Sequence, residues 1–299
     1  MMQKRGMSFI VIFILYILSI TLGILTFIYL NQWPDIYRFL AADIVSTLLI
    51  YLFSVIIKNA SLYDPYWSVI PPIILIGAAF YYNSFGFSVI LMIAALLIWS
   101  IRLTYNWASL WTGFDEIDWR YQAMEEKAPK LYLLTNLFGI QLFPTSIVFI
   151  QLIGAIYLIE AGPRSTLLTF IGALIIIAAA IIQLISDQQM KRFKQKHLGE
   201  KKCIEEGLWQ YSRHPNYFGE VMVWWGLYLM YLSYAKTLDL WIISPLLMTA
   251  LFLFISIPWM ERKIIKTRPE YRDYQKRVSM LIPFFRKEKE EQEATYKNA

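Results

Sequence analysis

Twenty-three successive residues at 8–30, SFIVIFILYILSITLGILTFIYL, carry no charged side chain. At 1.5 Å per residue a helix of that length matches the hydrocarbon thickness of a bilayer. Backbone polar groups inside lipid must satisfy one another, so such a run is read as a helix. Apolar runs recur along the chain and give eight spans, at about 8–30, 40–57, 67–82, 86–101, 143–160, 166–186, 216–234 and 240–259. The expected fold is all-α: a polytopic integral membrane helical bundle of about eight transmembrane helices, with interfacial helices. Composition agrees, because 58% hydrophobic and 17% charged residues are too apolar a mixture for a soluble domain of 299 residues. The first run follows Lys4 and Arg5 and lacks a small-residue cleavage site, so it reads as a retained anchor.

Charge sets the orientation. With both termini inside, the cytoplasmic segments hold 25 of the 28 Lys and Arg, and only Arg38, Arg164 and Lys236 fall outside. The net charge of +6 is then a property of cytoplasmic loops and calls for no nucleic acid partner. A single cysteine, Cys203, excludes an intrachain disulfide. Two histidines without ligand spacing give no metal site. No obligate protein partner is evident, and the expected contacts are membrane lipids and a hydrophobic lipid substrate.

The third span opens with DPYWSVIPP (64–72), whose prolines predict a kinked or late-starting helix. A loop at 107–141 is expected to hold a short interfacial helix, with Trp111, Trp119 and Tyr132 at headgroup level. Span six, GALIIIAAAIIQLISD, is rich in small residues suited to close helix packing, and it runs without a breaker into DQQMKRFKQKHLGE. Pro258 is expected to kink the last span. Residues 261–285 read as an interfacial helix and docking segment, and 286–299 as a disordered tail. Residues 1–285 are expected to form one transmembrane domain.

Polar residues gather at the cytoplasmic ends of the spans. Arg102 and Asn106, Gln183 and Asp187, and Asn216 and Glu220 are each four apart, so each pair shares a helix face. Asp64 sits at a fourth such end. Glu220 enters an otherwise apolar run, where an unpaired carboxylate costs several kcal/mol. Together these residues describe a polar pocket rimmed by Lys191, Arg192, Lys194, Arg213 and His214. A basic rim suits a phosphate-bearing cofactor or an anionic lipid, and interior carboxylates and amides suit ribose hydroxyls and a nicotinamide carboxamide. Plainer roles stand beside these. Arg102, Lys191 and Arg192 can snorkel, Asn216 can cap a helix, and Asp187 can simply end a span. His214 can be a solvated turn residue, and Trp209, Tyr211, Trp224 and Trp225 can form an interfacial belt.

The strings GLWQYSRHPNYFGEVMVWWG (207–226) and ERKIIKTRPEYRDYQKRVSMLIPFF (261–285) resemble the C-terminal domain of the steroid 5-alpha-reductase superfamily. The likeness is closer to its bacterial, largely uncharacterised membrane branch, which the DPYW and WSIRL segments also resemble. The C-terminal part of the resemblance covers about 90–285. It implies NADPH bound in a cytoplasm-facing pocket of the later spans, and hydride delivered to an activated carbon–carbon double bond of a lipid. The cofactor residues it implies are Arg102, Asp187, Asn216, Tyr217 and Glu220, with Gln183 standing where the reductases carry Asn. Arg213 and His214 join them as rim residues. The reductases also polarise the substrate carbonyl with an early-span Glu and a Tyr. No motif places that pair here, and Asp43, Asp64, Tyr81 and Tyr82 are the candidates. A bacterial plasma membrane is the implied location.

The same region also resembles isoprenylcysteine and phospholipid methyltransferases, which share an RHPxY string followed by a later Glu and an EYxxY-like segment. Here these are residues 213–217, Glu261, Glu270–Tyr271 and Tyr274. That resemblance implies S-adenosylmethionine held by His214, Tyr217 and Glu261, with a lipid or prenyl-cysteine acceptor. Glu220 and the Gln183/Asp187 pair are reductase-like features and favour the first reading. The sequence therefore leads to an NADPH-dependent reductase of a lipid double bond. A membrane methyltransferase and a non-catalytic lipid-binding protein are the alternatives.

Overall fold

The computed structural model describes residues 2–162 and 165–286. Arg164 and residues 287–299, most of the tail expected to be disordered, lie outside the described residues. Among the described residues ten helices follow one another: α1 (Met2–Tyr29), α2 (Asp35–Ile57), α3 (Tyr66–Tyr81), α4 (Phe87–Leu110) and α5 (Trp119–Lys127). Then come α6 (Pro129–Glu160), α7 (Leu167–Lys196), α8 (Pro215–Ala235), α9 (Leu240–Thr267) and α10 (Tyr271–Arg277). No strand occurs among the described residues, and an isolated parallel bridge joins Ser212 to Ser279. The chain groups into two compact units, Met1–Leu174 with Gly226–Ser244, and Ile175–Trp225 with Pro245–Ala299.

Among the described residues six helices are long and apolar enough to cross a membrane: α1, α2, α4, α6, α7 and α9. The protein is thus a multi-pass integral membrane protein. The other two expected spans fall short for different reasons. α3 has 16 residues, about 24 Å of helix, and α8 has 21 but is diluted by Glu220 and its many Trp and Tyr side chains. Contacts around α3 show how a short helix still pairs with a spanning one. Asn59 Nδ2 donates to the Phe114 and Glu116 carbonyls at 3.0 and 2.9 Å, and Ser61 Oγ accepts from Asp118 N at 3.1 Å. The start of α3 therefore lies beside the segment that follows α4, and the two helices form a hairpin whose turn is at 82–86. The two helices pack side by side as the arms of this hairpin, and of the pair α4 has the length and apolarity of a span.

Local chemistry fixes the ends. Asp35 opens α2 just after Pro34, where a carboxylate favours the helix N-terminus. α2 stops where Lys58 turns into the left-handed region at φ 57°. Asp118 caps α5 by accepting from Arg120 N at 2.8 Å. In the first unit α1 packs on α2, and α3 on α4 and α6. Ser19 and Ser46 exchange hydroxyl–carbonyl hydrogen bonds of 2.9 Å each way. Along α2, Asp43, Thr47 and Ser54 make one buried polar stripe, while the outward faces of α1 stay apolar and exposed, as lipid contact requires.

The interfacial helix expected within 107–141 is α5, but the loop is shorter than anticipated, since α4 runs to Leu110 and α6 begins at Pro129. Trp111, expected at headgroup level, is instead buried against Trp107 and Phe9, with ring centroids 4.9 and 5.2 Å away. The expected kink at Pro258 takes the form of a π-helical turn at Phe252–Ser256, immediately before the last α-helical turns. A second π segment, Thr135–Leu142, precedes Pro144 in the same way.

Candidate functional site

The second unit is built on α7 and α8 packed at close range. A Cβ added to Gly219 would lie 2.8 Å from the Ala179 carbonyl oxygen and 2.5 Å from Gln183 Cγ. Only glycine permits that approach, and it brings Gln183 against Glu220. Gln183 Nε2 donates to Glu220 Oε2 at 2.7 Å, and Trp224 Nε1 donates to Oε1 at 3.2 Å. Glu220 is 3% and Gln183 2% exposed, so the pair is sealed from water. Gln183 Oε1 is buried with no hydrogen-bond partner among the described residues. Asp187 stands one turn beyond Gln183 on α7, half-buried, and Asn216 one turn before Glu220 on α8. The exposed Lys191, Arg192 and Lys194 continue α7 beyond them.

The loop before α8 is fixed from several sides. Gly207, at φ 62°, passes so close to Gln189 that a Cβ would collide with its amide, and Gln189 Oε1 accepts from Leu208 N at 3.0 Å. Trp209 Nε1 donates to the Ser186 carbonyl at 3.2 Å. Ser212 Oγ accepts from His214 N at 3.1 Å, and the His214 carbonyl receives the first helical bond of α8, from Phe218 N at 3.0 Å. Pro215 then occupies the first helical position, where its missing N–H is not needed.

Arg213 and His214 turn away from Glu220 toward Glu261. Arg213 Nε donates to Glu261 Oε1 at 2.7 Å, and its Nη1 donates to the carbonyls of Gln275 and Val278 at 2.8 Å each. His214 Nε2 lies 3.1 Å from Glu261 Oε1. Tyr271 O–H donates to the same oxygen at 3.0 Å, and Gln275 Nε2 donates to Oε2 at 2.7 Å. The His214 ring stacks on Tyr217, with centroids 5.3 Å apart. Burial pushes the His214 imidazole below its usual pKa, outweighing the attraction of the Glu261 carboxylate, and the Arg213 charge adds to the depression. The Cys203 thiol is pushed up to about 11 by burial and by nearby Glu270, which keeps it protonated and unreactive.

Of the expected site residues, the structure therefore joins Gln183 to Glu220 and sets Asp187 and Asn216 a turn away on the same two helices. It joins Arg213, His214 and Tyr217 into a separate cluster with Glu261. Arg102 is a nearly buried residue of α4 in the first unit. Gln189 and Gln275 were not anticipated. Gln275 had a signal in its spacing, four residues after Tyr271 on one helical face.

The early acids each have partners within the first unit. Asp43, 2% exposed, accepts from Tyr66 O–H at 2.9 Å, while its Oδ2 has no partner among the described residues. Around it, Tyr63 and Thr145 hydroxyls lie 2.8 Å apart, and Thr145 and Thr47 3.0 Å apart. Asp64 accepts from Tyr121 O–H at 2.5 Å, and burial, only partly offset by Arg120, pushes its carboxyl up to about 6. Tyr81 and Tyr82 both donate to Asp35, at 3.1 and 3.0 Å, beside Arg38.

A helical membrane protein with a sealed carboxyl–amide pair between two helices is the class these features define. The chain belongs to the family described as "Protein of unknown function (DUF1295)", which matches residues 50–278. That region holds every expected cofactor residue but not Asp43. The chain is also similar to the uncharacterised protein C594.04c of Schizosaccharomyces pombe, 25% identical over 281 residues, covering 85% of this chain and 81% of that protein. No solved structure matches the chain at a significant level.

Proposed function

We propose that the protein is a membrane-embedded reductase that uses NADPH to reduce a polarised carbon–carbon double bond of a hydrophobic lipid, of steroid-enone or polyprenoid type. The observation that carries this reading is the Gln183–Glu220 pair, with its leftover amide oxygen at Gln183. A buried acceptor without a donor costs about 1–3 kcal/mol, and the carboxamide of a nicotinamide supplies a suitable N–H. NADPH, when bound, supplies the hydride. Gln183, Asn216 and Glu220 hold the nicotinamide end in this reading, Asp187 takes ribose hydroxyls, and the exposed Lys191, Arg192 and Lys194 take phosphates. Arg213 is left out of that role because its donors already serve Glu261 and two carbonyls. The resemblance alone assigns Arg102. For the substrate half the candidates stay Asp43, Asp64, Tyr81 and Tyr82, and among them Asp43 is a buried carboxyl with one oxygen unspent. We place both termini on the cytoplasmic side, in the bacterial plasma membrane that the resemblance implies.

A methyltransferase reading draws on His214, Tyr217 and Glu261, which do meet. Their network is closed, however: four side chains already donate to or contact the Glu261 carboxylate. That closure favours an architectural role and leaves the reductase ahead.

Thermal melting of the purified protein with NADPH, NADH and S-adenosylmethionine tests the reading. A ligand at a hundred times its Kd adds about 2.7 kcal/mol to the folded state. NADPH should raise the melting temperature of the wild type and of a Gly77→Ala control, where an added Cβ meets nothing within 4 Å, but not of Glu220→Ala or Glu220→Gln. Undiminished NADPH stabilisation of both Glu220 variants would overturn the site, and stabilisation by S-adenosylmethionine alone would overturn the activity. Silence from all three ligands would leave a non-catalytic lipid-binding protein.

A further inference from the structure

After α10 the chain leaves the helix and is strapped down. Arg213 N donates to the Ser279 carbonyl at 2.9 Å, Ser212 Oγ donates to the Leu281 carbonyl at 2.8 Å, and Phe284 N donates to the Tyr211 carbonyl at 2.9 Å. Leu281 is buried in a cluster with Val221 of α8 and Ile257 of α9, and Met280 packs against the same cluster. The residues between and beyond these anchors do the opposite. Ile282 is 69%, Phe284 69% and Phe285 80% exposed, although none carries a polar atom on its side chain. A fixed, non-helical segment thus displays three large apolar groups outward.

We propose that residues 280–285 form an in-plane membrane anchor, with Ile282, Phe284 and Phe285 entering the boundary between headgroups and acyl chains. Position argues for lipid as the occupant. Tyr211, bonded to Phe284, is four residues before the first residue of α8, a reach of no more than about 14 Å. Leu281 shares its buried cluster with Val221, in the second turn of α8, and with Ile257 of α9, which is long and apolar enough to cross a membrane. The segment is therefore held at the level where these helices meet the bilayer surface. A contiguous exposed apolar patch at that level is what interfacial anchors present. The surrounding charges fit as well. Arg262, Lys263, Lys266, Arg272 and Lys276 are exposed on α9 and α10, on the headgroup side of an inserted segment.

The test uses the full chain in lipid nanodiscs, in a Cys203→Ser background, with single nitroxide labels at Phe284→Cys, Ile282→Cys and Lys276→Cys. Labels at 282 and 284 should collide freely with oxygen and poorly with an aqueous nickel chelate, giving an oxygen-to-nickel ratio several-fold above that at 276. Nickel access at 284 equal to that at 276 would overturn the anchor by placing the segment in water. Shielding from both reagents would overturn it in favour of a protein cover. A photo-crosslinking side chain at Phe285 in the otherwise unaltered chain gives an independent readout. It should yield a phospholipid adduct, and a protein adduct or none would count against the proposal.

Discussion

At the level of single residues, Glu261 shows how one carboxylate organises a loop. It collects Arg213, His214, Tyr271 and Gln275, which come from two separate stretches of chain. His214 carries a pH signature of this arrangement. Its folded pKa is depressed by burial, whereas in an unfolded chain it titrates near 6.5. Below pH 6.5 the unfolded state therefore binds more protons than the folded one. The stability contributed by neutral His214 is fully present above 6.5 and is lost as pH falls through that value. Between pH 7 and 5 the wild-type melting temperature should fall more steeply than that of His214→Gln, and parallel slopes would refute the assignment. Asp64 acts with the opposite sign: its carboxyl, raised to about 6, contributes stability that disappears as pH rises from about 4 to 6. The sequence exposed these residue types but not their pairing. Arg213, read as a rim cation, turned toward an acid 48 positions away because a buried guanidinium needs a counter-charge.

Among the helices, small residues and prolines did most to make the packing legible beforehand. The small-residue character of α7 foretold close approach, and Gly172 fulfils it: an added Cβ would sit 2.5 Å from the Gly226 carbonyl oxygen. Gly219 does the same for the candidate site. Gly219→Ala should therefore destabilise the protein by about 1–3 kcal/mol and weaken NADPH stabilisation, because a carbonyl oxygen cannot move aside as a side chain can. Denaturation of the variant beside Gly77→Ala, where nothing lies within 4 Å, provides the comparison. The kink expected at Pro258 takes the form of a π turn, and the chain widens in the same way before Pro144. A proline clashes with the carbonyl four residues back, and i→i+5 bonding in the preceding turn accommodates it. The widening also stacks Asn136 under Gln141, five residues apart, so that Gln141 Nε2 donates to Asn136 Oδ1 at 2.9 Å and both reach Ser54. An α-helical reading of that stretch could not have paired them.

For the whole chain, apolar runs carried the helical membrane architecture, because they are set by the bilayer and need no tertiary detail. Arg38, which broke the charge rule, is neutralised by Asp35 at 2.7 Å and covered by the Phe27 ring at 4.0 Å. The hairpin of α3 and α4 makes the topology testable. A cysteine placed at Asn83 should be labelled by an impermeant maleimide from outside, and one at the exposed Lys58, on the other end of α3, only after the membrane is opened. Labelling of both from one side would mean that α3 does not cross. The strap that closes the loop ahead of α8 has a further meaning in time. Ser212 finds its partner carbonyl 69 residues later, at Leu281. At bacterial or eukaryotic elongation rates that interval is roughly 3–14 s. Arg213 meets its carboxylate, Glu261, 48 residues after it is made, and the loop ahead of α8 is closed only when the segment after α10 has followed.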